Sequence, residues 1–295
     1  MITYRALTTL EDCRHFQEVQ ARIWGRVPDE IVPLHVLVTQ AKNGGFLWGA
    51  FAQEGPEETG GMVGIALGWP AFGTLPSGER RLKLCSHIVG VLPAWQGHGI
   101  GLALKRIQRE EMLAQGWTDW ITWTYDPLQR VNGRFNIHRL GATCRTYLRN
   151  VYGEMTDRLN RGLPSDRCQV DWHLASPRVA YALADPAPGD VDWRGLALEM
   201  LSTRSLPGRP ELREPLGGTP TLDGRPLAVP LPESVEALRA HSLSLLLEWR
   251  FALRAALEAA FQAGYVLVDC VCLEGEWRYI LVPEALHPFP HLPWP

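Results

Sequence analysis

"GVLPAWQGHGIGLALKRIQREE", Gly90 to Glu111, is the stretch on which the rest of the chain depends. A Val-rich run ends at Val91, and Pro93 interrupts it. Gln96-Gly97-His98-Gly99-Ile100-Gly101 then forms a glycine-rich turn that opens into an amphipathic helix. A helix N-terminus offers unpaired N–H groups and the positive end of its dipole, so it suits a phosphate. Glycine lets the backbone approach that phosphate without a Cβ in the way. A dinucleotide turn requires GxGxxG directly after a strand. Here the glycines stand at 97, 99 and 101, and the third required place falls on Leu102 or Leu104. A Walker A loop requires GxxxxGK and then Ser or Thr, but Leu102 follows Gly101. Both spacings fail.

Outward from the turn, the first half alternates between helical and strand patterns. Leu10 to Trp24 is predicted helical, with Cys13, Phe16, Val19, Gln20 and Ile23 on one face. Gly45 to Ala52 and Met62 to Trp69 read as a hairpin, and Leu84 to Val91 as the next strand. The helix from Gly101 is expected to turn Ala103, Leu104, Ile107 and Ala114 inward and Lys105, Arg106, Arg109 and Glu110 outward. Trp120 to Tyr125 reads as a strand, Asn132 to Leu140 as a short helix and Cys144 to Val151 as a strand, giving an α/β layered domain. After about Tyr152 the character changes. Asp185 to Pro232 is rich in Pro, Gly and Arg and reads mostly as loop, with a short helix at Trp193 to Leu201. Ser234 to Ala263 is helical with a break near His241, and Tyr265 to Cys272 with Trp277 to Val282 form a terminal hairpin. The domains expected are 1–152, an α/β (α+β) mixed sheet flanked by helices, and 153–295, an extension.

Composition narrows the function classes. The chain has 295 residues, 46% hydrophobic and 21% charged, as in a globular protein. A net charge of -3 is unlike that of a general nucleic-acid binder. No apolar run reaches the ~20 residues that span a bilayer, and the N-terminus lacks a signal-peptide pattern, so a cytoplasmic protein is expected. The six cysteines contain no CxxC pair, and the histidines do not cluster; His287 and His291 sit in a Pro-rich tail. No metal is expected. Lys42, Lys83 and Lys105 are the only lysines, so anion sites would use Arg forks.

Val89, Val91, Pro93, Gln96, Gly99 and Gly101 fit Q/R-x-x-G-x-G/A opening a helix after Val-x-Val. This ordered set resembles the GNAT superfamily of CoA-dependent N-acyltransferases over about residues 3 to 152. The resemblance implies that Gln96, Gly97, His98, Gly99, Ile100, Gly101 and Leu102 receive the pyrophosphate of an acyl-CoA. It further implies that Val89 and Val91 pair with the pantetheine arm, and that Asn132 belongs to the same cofactor set. An ordinary αβ turn with packing glycines is the plainer alternative. For the general base, His87 is the first candidate: alternation from Cys85 places it on the face of Val89 and Val91. Tyr125 and Asp126 follow, Asp126 serving equally as a cap on the turn at Pro127. The thiolate-protonating Tyr usual in the superfamily falls on Ile137, beside His138, which leaves Tyr147 or Tyr125 for that role. Arg130, Arg134, Arg139, Arg145 and Arg149 would hold a phosphate or carboxylate or form a solvated face. Trp24 and Trp69 would line an acceptor cleft or the core.

Leu163-Pro164-Ser165-Asp166-Arg167, Val170-Asp171-Trp172, Trp249-Arg250 and Gly264-Tyr265 look like motifs of larger bacterial GNAT proteins, some linked to N-succinylation of amino acids. The expected donor is therefore acetyl-CoA, succinyl-CoA or another acyl-CoA, and the acceptor a small amine or amino acid. The extension is expected to pack on the core or form a homodimer. The rival expectation, from the missing Tyr, is a catalytically silent acyl-CoA-binding or sensing module.

Overall fold

The computed structural model describes residues 1–25, 31–75, 77–153, 161–187, 189–218 and 222–286; His287 and His291 lie outside them. The chain forms two compact units, Met1–Trp123 and Thr124–Pro295.

The first unit runs β1 (Ile2–Ala6), α1 (Leu10–Trp24), α2 (Leu34–Lys42), β2 (Phe46–Ala52), β3 (Met62–Thr74), β4 (Arg80–Val91), α3 (Ile100–Gln115) and β5, whose span Trp120–Tyr125 reaches the boundary. The strands lie side by side in chain order, antiparallel except for the β4–β5 pair. Thr9 starts α1 through a capping box: its hydroxyl accepts from the Asp12 amide, and Asp12 accepts from the Thr9 amide. The apolar face of α1 buries Cys13, Phe16 and Val19, at the positions read from the periodicity. Helices flank the sheet on both faces. A Cβ on Gly90 would meet Trp24 and Ile23 of α1, whereas one on Gly64, opposite Val91, would meet Ile100 of α3.

The second unit contains α4 (Arg130–Gly133), continued by a π-helical turn at Arg134–Arg139, then β6 (Thr143–Leu148), β7 (Arg167–His173), α5 (Pro177–Ala182), β8 (Leu198–Glu199), β9 (Ser202–Leu206), β10 (Arg209–Leu216), β11 (Leu227–Pro230), α6 (Val235–His241), α7 (Leu243–Gln262), β12 (Tyr265–Leu273) and β13 (Glu276–Pro283). Its strands lie in the order β7-β6-β12-β13-β11-β8, mixed because β11 and β8 run parallel, and β9–β10 form a separate hairpin. Trp193, Val266, Val268, Ile280 and Val282 pack together at its centre. Ser242 is both the C-cap of α6 and the N-cap of α7, accepting from the Leu245 amide, which accounts for the expected break.

Two expectations are corrected. The described residues of 185–232 are mostly turn and loop, as expected, but they also supply β8 to β11, and Trp193–Leu201 is turn and strand, not helix. Lys105 does not point outward: it is 2% exposed, on the same stripe of α3 as Leu104, Gln108 and Met112. Cys270 is buried, and Cys272, two residues on, is exposed.

Candidate acyl-CoA site

Two features of β4 shape the candidate site. Its parallel pairing with β5 joins Leu84 to Ile121 and Cys85 to Thr122, and no further pair follows within this unit. On the β3 side the ladder continues to Val91, but with a bulge: Leu67 faces Ile88 while Gly68 faces Ser86, so His87 is the extra residue. A bulge bends its strand and increases the local twist. Beyond the bulge, Leu92 donates its N–H to Val63 O at 2.9 Å. Backbone groups alternate sides along an antiparallel ladder, so Gly90 and Ile88 bond toward β3, and Val89 and Val91 direct theirs toward the open edge. The Val91 carbonyl accepts from Gln96 Nε2 at 3.1 Å. The Val91 amide and both backbone groups of Val89 take no backbone partner among the described residues.

The bulge also changes the faces. Ser86 precedes it and faces α3, and Val89 and Val91 follow it and face α3 as well, so Cys85 lies on the opposite face from the two valines. Simple alternation from Cys85 through His87 to Val91 therefore fails. The His87 ring packs on Trp69, with centroids 4.6 Å apart. One side of it reaches solvent, yet surrounding protein desolvates the imidazole and pushes its pKa below the usual 6.5. His87 is thus neutral, and able to accept a proton, at neutral pH.

The open edge leads into the turn. Gly97 and Gly99 have φ of +80° and +76°, in the left-handed region that favours glycine. His98 Nδ1 lies 3.0 Å from the Gln96 carbonyl. The first helical bond of α3 runs from Ala103 N to Gly99 O, and no side chain caps the helix. The amides of Ile100, Gly101 and Leu102 therefore find no acceptor among the described residues, and Gly97, His98 and Gly99 are exposed. Such a cradle suits a pyrophosphate.

Lys105, which sequence reasoning had placed in solvent, occupies the fork between the strands. Its Nζ donates to Ser86 Oγ and Gln108 Oε1, both at 2.9 Å, and lies 3.5 Å from the Trp123 ring centroid. Ser86 and Trp123 are the residues immediately beyond the last β4–β5 pair. Burial pushes the Lys105 amine well below 10.5. Between that lowered pKa and about 10 the unfolded chain then binds a proton that the folded chain does not, so stability rises with pH through that window. Chemical denaturation between neutral pH and about 10 should show this gain; Lys105→Met should flatten it, and an unchanged slope would contradict a lowered amine pKa.

The remaining candidates lie in the second unit. Asn132 is exposed on α4. The Tyr125 hydroxyl is buried, and burial together with neighbouring Tyr279 pushes its pKa well above 10. Tyr147 donates to Asp166 Oδ2 at 2.7 Å. Asp166 also accepts two bonds from Arg254 at 2.8 Å. Burial alone would raise the Asp166 pKa, but Arg254 and Tyr147 hold it below the carboxylate range. Asp126 caps its turn, accepting from the Leu128 amide at 2.9 Å, and also accepts both terminal nitrogens of fully buried Arg250 at 2.8 Å. Of the five sequence-clustered arginines, Arg130 pairs with Glu233, Arg134 with Asp190, Arg145 with Glu284 and Arg149 with Glu258, while Arg139 donates to Ala182 O. Among the described residues no group of three or more His, Cys, Asp or Glu is placed to hold a metal, and no helix is long and apolar enough to cross a membrane.

No family model matches the sequence, and no curated protein matches it. Solved structures are similar to part of the chain. A putative acetyltransferase of the GNAT family from Desulfovibrio desulfuricans is 17% identical, with TM-score 0.43, covering 59% of this chain and 100% of its own. An N-acetyltransferase from Staphylococcus aureus Mu50 is 16% identical, with TM-score 0.45, over 59% of this chain and 99% of its own. A putative acetyltransferase from Salmonella typhimurium, solved with its cofactor acetyl-CoA, is 20% identical, with TM-score 0.39, over 60% and 97%. The chain is thus similar to these acetyltransferases over about 59% of its length.

Proposed function

We propose that this chain is a cytoplasmic CoA-dependent N-acyltransferase that moves an acetyl or succinyl-type group to the amine of a small molecule such as an amino acid. The observation that carries this reading is the unpaired β4 edge at Val89 and Val91, running directly into the uncapped amides of Ile100 to Leu102. The edge offers strand-like partners to a pantetheine amide, and the helix N-terminus offers donors to the diphosphate. With the thioester at the bulge, the amine attacks the carbonyl carbon. A C–N bond forms, the C–S bond breaks and the thiolate leaves. His87 takes the amine proton, and the free amide of Val89 or Val91 donates to the oxyanion. Tyr147 is committed to Asp166 and Tyr125 is enclosed, so the thiolate proton is assigned to solvent. Asn132 is a further candidate for contact with the cofactor.

Thiol release from acetyl-CoA and succinyl-CoA against pooled amino acids tests the reaction. Tight CoA binding with no turnover on any amine would instead establish a silent binding module. A general base with a depressed pKa stays deprotonated further into acid, so the acidic limb of kcat/KM should fall below pH 6.5. His87→Ala should remove that limb and lower kcat by about 10²–10⁴-fold, with acetyl-CoA affinity preserved; an unchanged profile would exclude His87.

A further inference from the structure

The second unit holds a cavity of about 390 Å³ that the acyl-CoA reading leaves unused. It is lined by Arg130, Arg134, Phe135, His138 and Arg139 from α4 and its π-helical continuation, and by Trp277 of β13. A π-helical turn closes i→i+5 bonds, so it is wider than an α-turn, and such turns recur at functional sites. Arg130, Arg134 and His138, spaced four apart, share one face of this helical run and line the same cavity.

The His138 ring is braced from beneath. Its Nδ1 lies 2.7 Å from Asp269 Oδ1, and Asp269 Oδ2 accepts from Trp193 Nε1 at 2.9 Å. Burial would raise the Asp269 pKa, but His138, Trp193 and nearby Arg178 hold it below the carboxylate range. The buried carboxylate is thus already compensated by His138, Trp193 and Arg178, and neither Arg130 nor Arg134 bonds to it. Arg130 lies 5.0 Å from the Trp277 ring centroid, which orients the guanidinium. The carboxylates paired with Arg130 and Arg134 are exposed ones, Glu233 at 56% and Asp190 at 50%. Exposed pairs contribute only about 0–1 kcal/mol, so a ligand anion exchanges with them at small cost.

We infer that this cavity is a binding site for an organic oxyanion, a carboxylate or phosphate on a flat apolar body, with the arginines clamping the anion and Trp277 and Phe135 receiving the body. The volume suits a small metabolite. Titration calorimetry with benzoate and with inorganic phosphate, against chloride at matched ionic strength, is the test. Saturable binding of either probe is expected, its Kd rising at least tenfold in both Arg130→Gln and Arg134→Gln, which leave the buried His138–Asp269 pair intact. Preference for benzoate identifies a carboxylate ligand, and preference for phosphate a phosphorylated one. No binding above chloride, or equal affinity in the variants, overturns the proposal.

Discussion

Arg250→Ala should cost the protein about 3–5 kcal/mol, because it strips the partner from a buried carboxylate. The Arg250 side chain has no exposed surface and gives two 2.8 Å bonds to Asp126, whose own side chain is 12% exposed. Burial alone would lower the arginine pKa, but the charge and hydrogen bonds of Asp126 more than offset it, so the guanidinium stays charged. Truncation leaves an uncompensated anion in the second unit. The control is Asp126→Asn with Arg250→Met, which removes both charges and keeps a carbonyl acceptor for the Leu128 amide. The double variant should recover most of the loss, since replacing a whole buried pair is often neutral. Urea unfolding followed by a second-unit signal reads both. A loss below about 1 kcal/mol for Arg250→Ala would show that water reaches Asp126.

Replacing Gly97 and Gly99 together by Val should weaken acetyl-CoA binding by about 30- to 1,000-fold. Both glycines hold φ near +80°, and left-handed backbone costs an L-residue about 1–2 kcal/mol each, more for a β-branched one. Neither site is crowded, for a Cβ there would meet nothing within 4 Å. The penalty is therefore conformational, and the turn relieves it by moving the amides of Ile100 to Leu102 out of line. Calorimetric titration with acetyl-CoA reads the loss, while thermal unfolding should change little because the turn is exposed. Undiminished affinity would mean the diphosphate binds elsewhere.

How much of this was legible in the sequence follows from how local each signal is. The span of α1 is the one its periodicity and the Thr9 cap specify. The break near His241 was also visible, as was the terminal hairpin, whose start and turn Gly264 and Gly275 mark. The β9–β10 hairpin was hidden because neither strand has a continuous buried face to set a period of two. Lys105 was misplaced because charge outweighed spacing, although it sits one residue after Leu104 and three before Gln108 on the buried stripe. Trp249-Arg250 stood out as a motif, but its partner Asp126 lies 124 residues away, beyond any local pattern. The glycine turn was legible as a turn, because its glycines stand together in the sequence, two of them with left-handed backbone. The bulge at His87 was not, because a bulge is defined by two strands and only one was being read.

That bulge has a mechanical meaning. In β4, even-numbered residues face α3 before His87 and odd-numbered ones after it, so His87 is where the count changes parity. It is also the one residue between Ser86 and Val91 with no opposite number in β3. Its backbone can rotate without breaking a rung on either side. The candidate base therefore sits at the one position of this stretch where β4 changes direction without giving up a rung to β3.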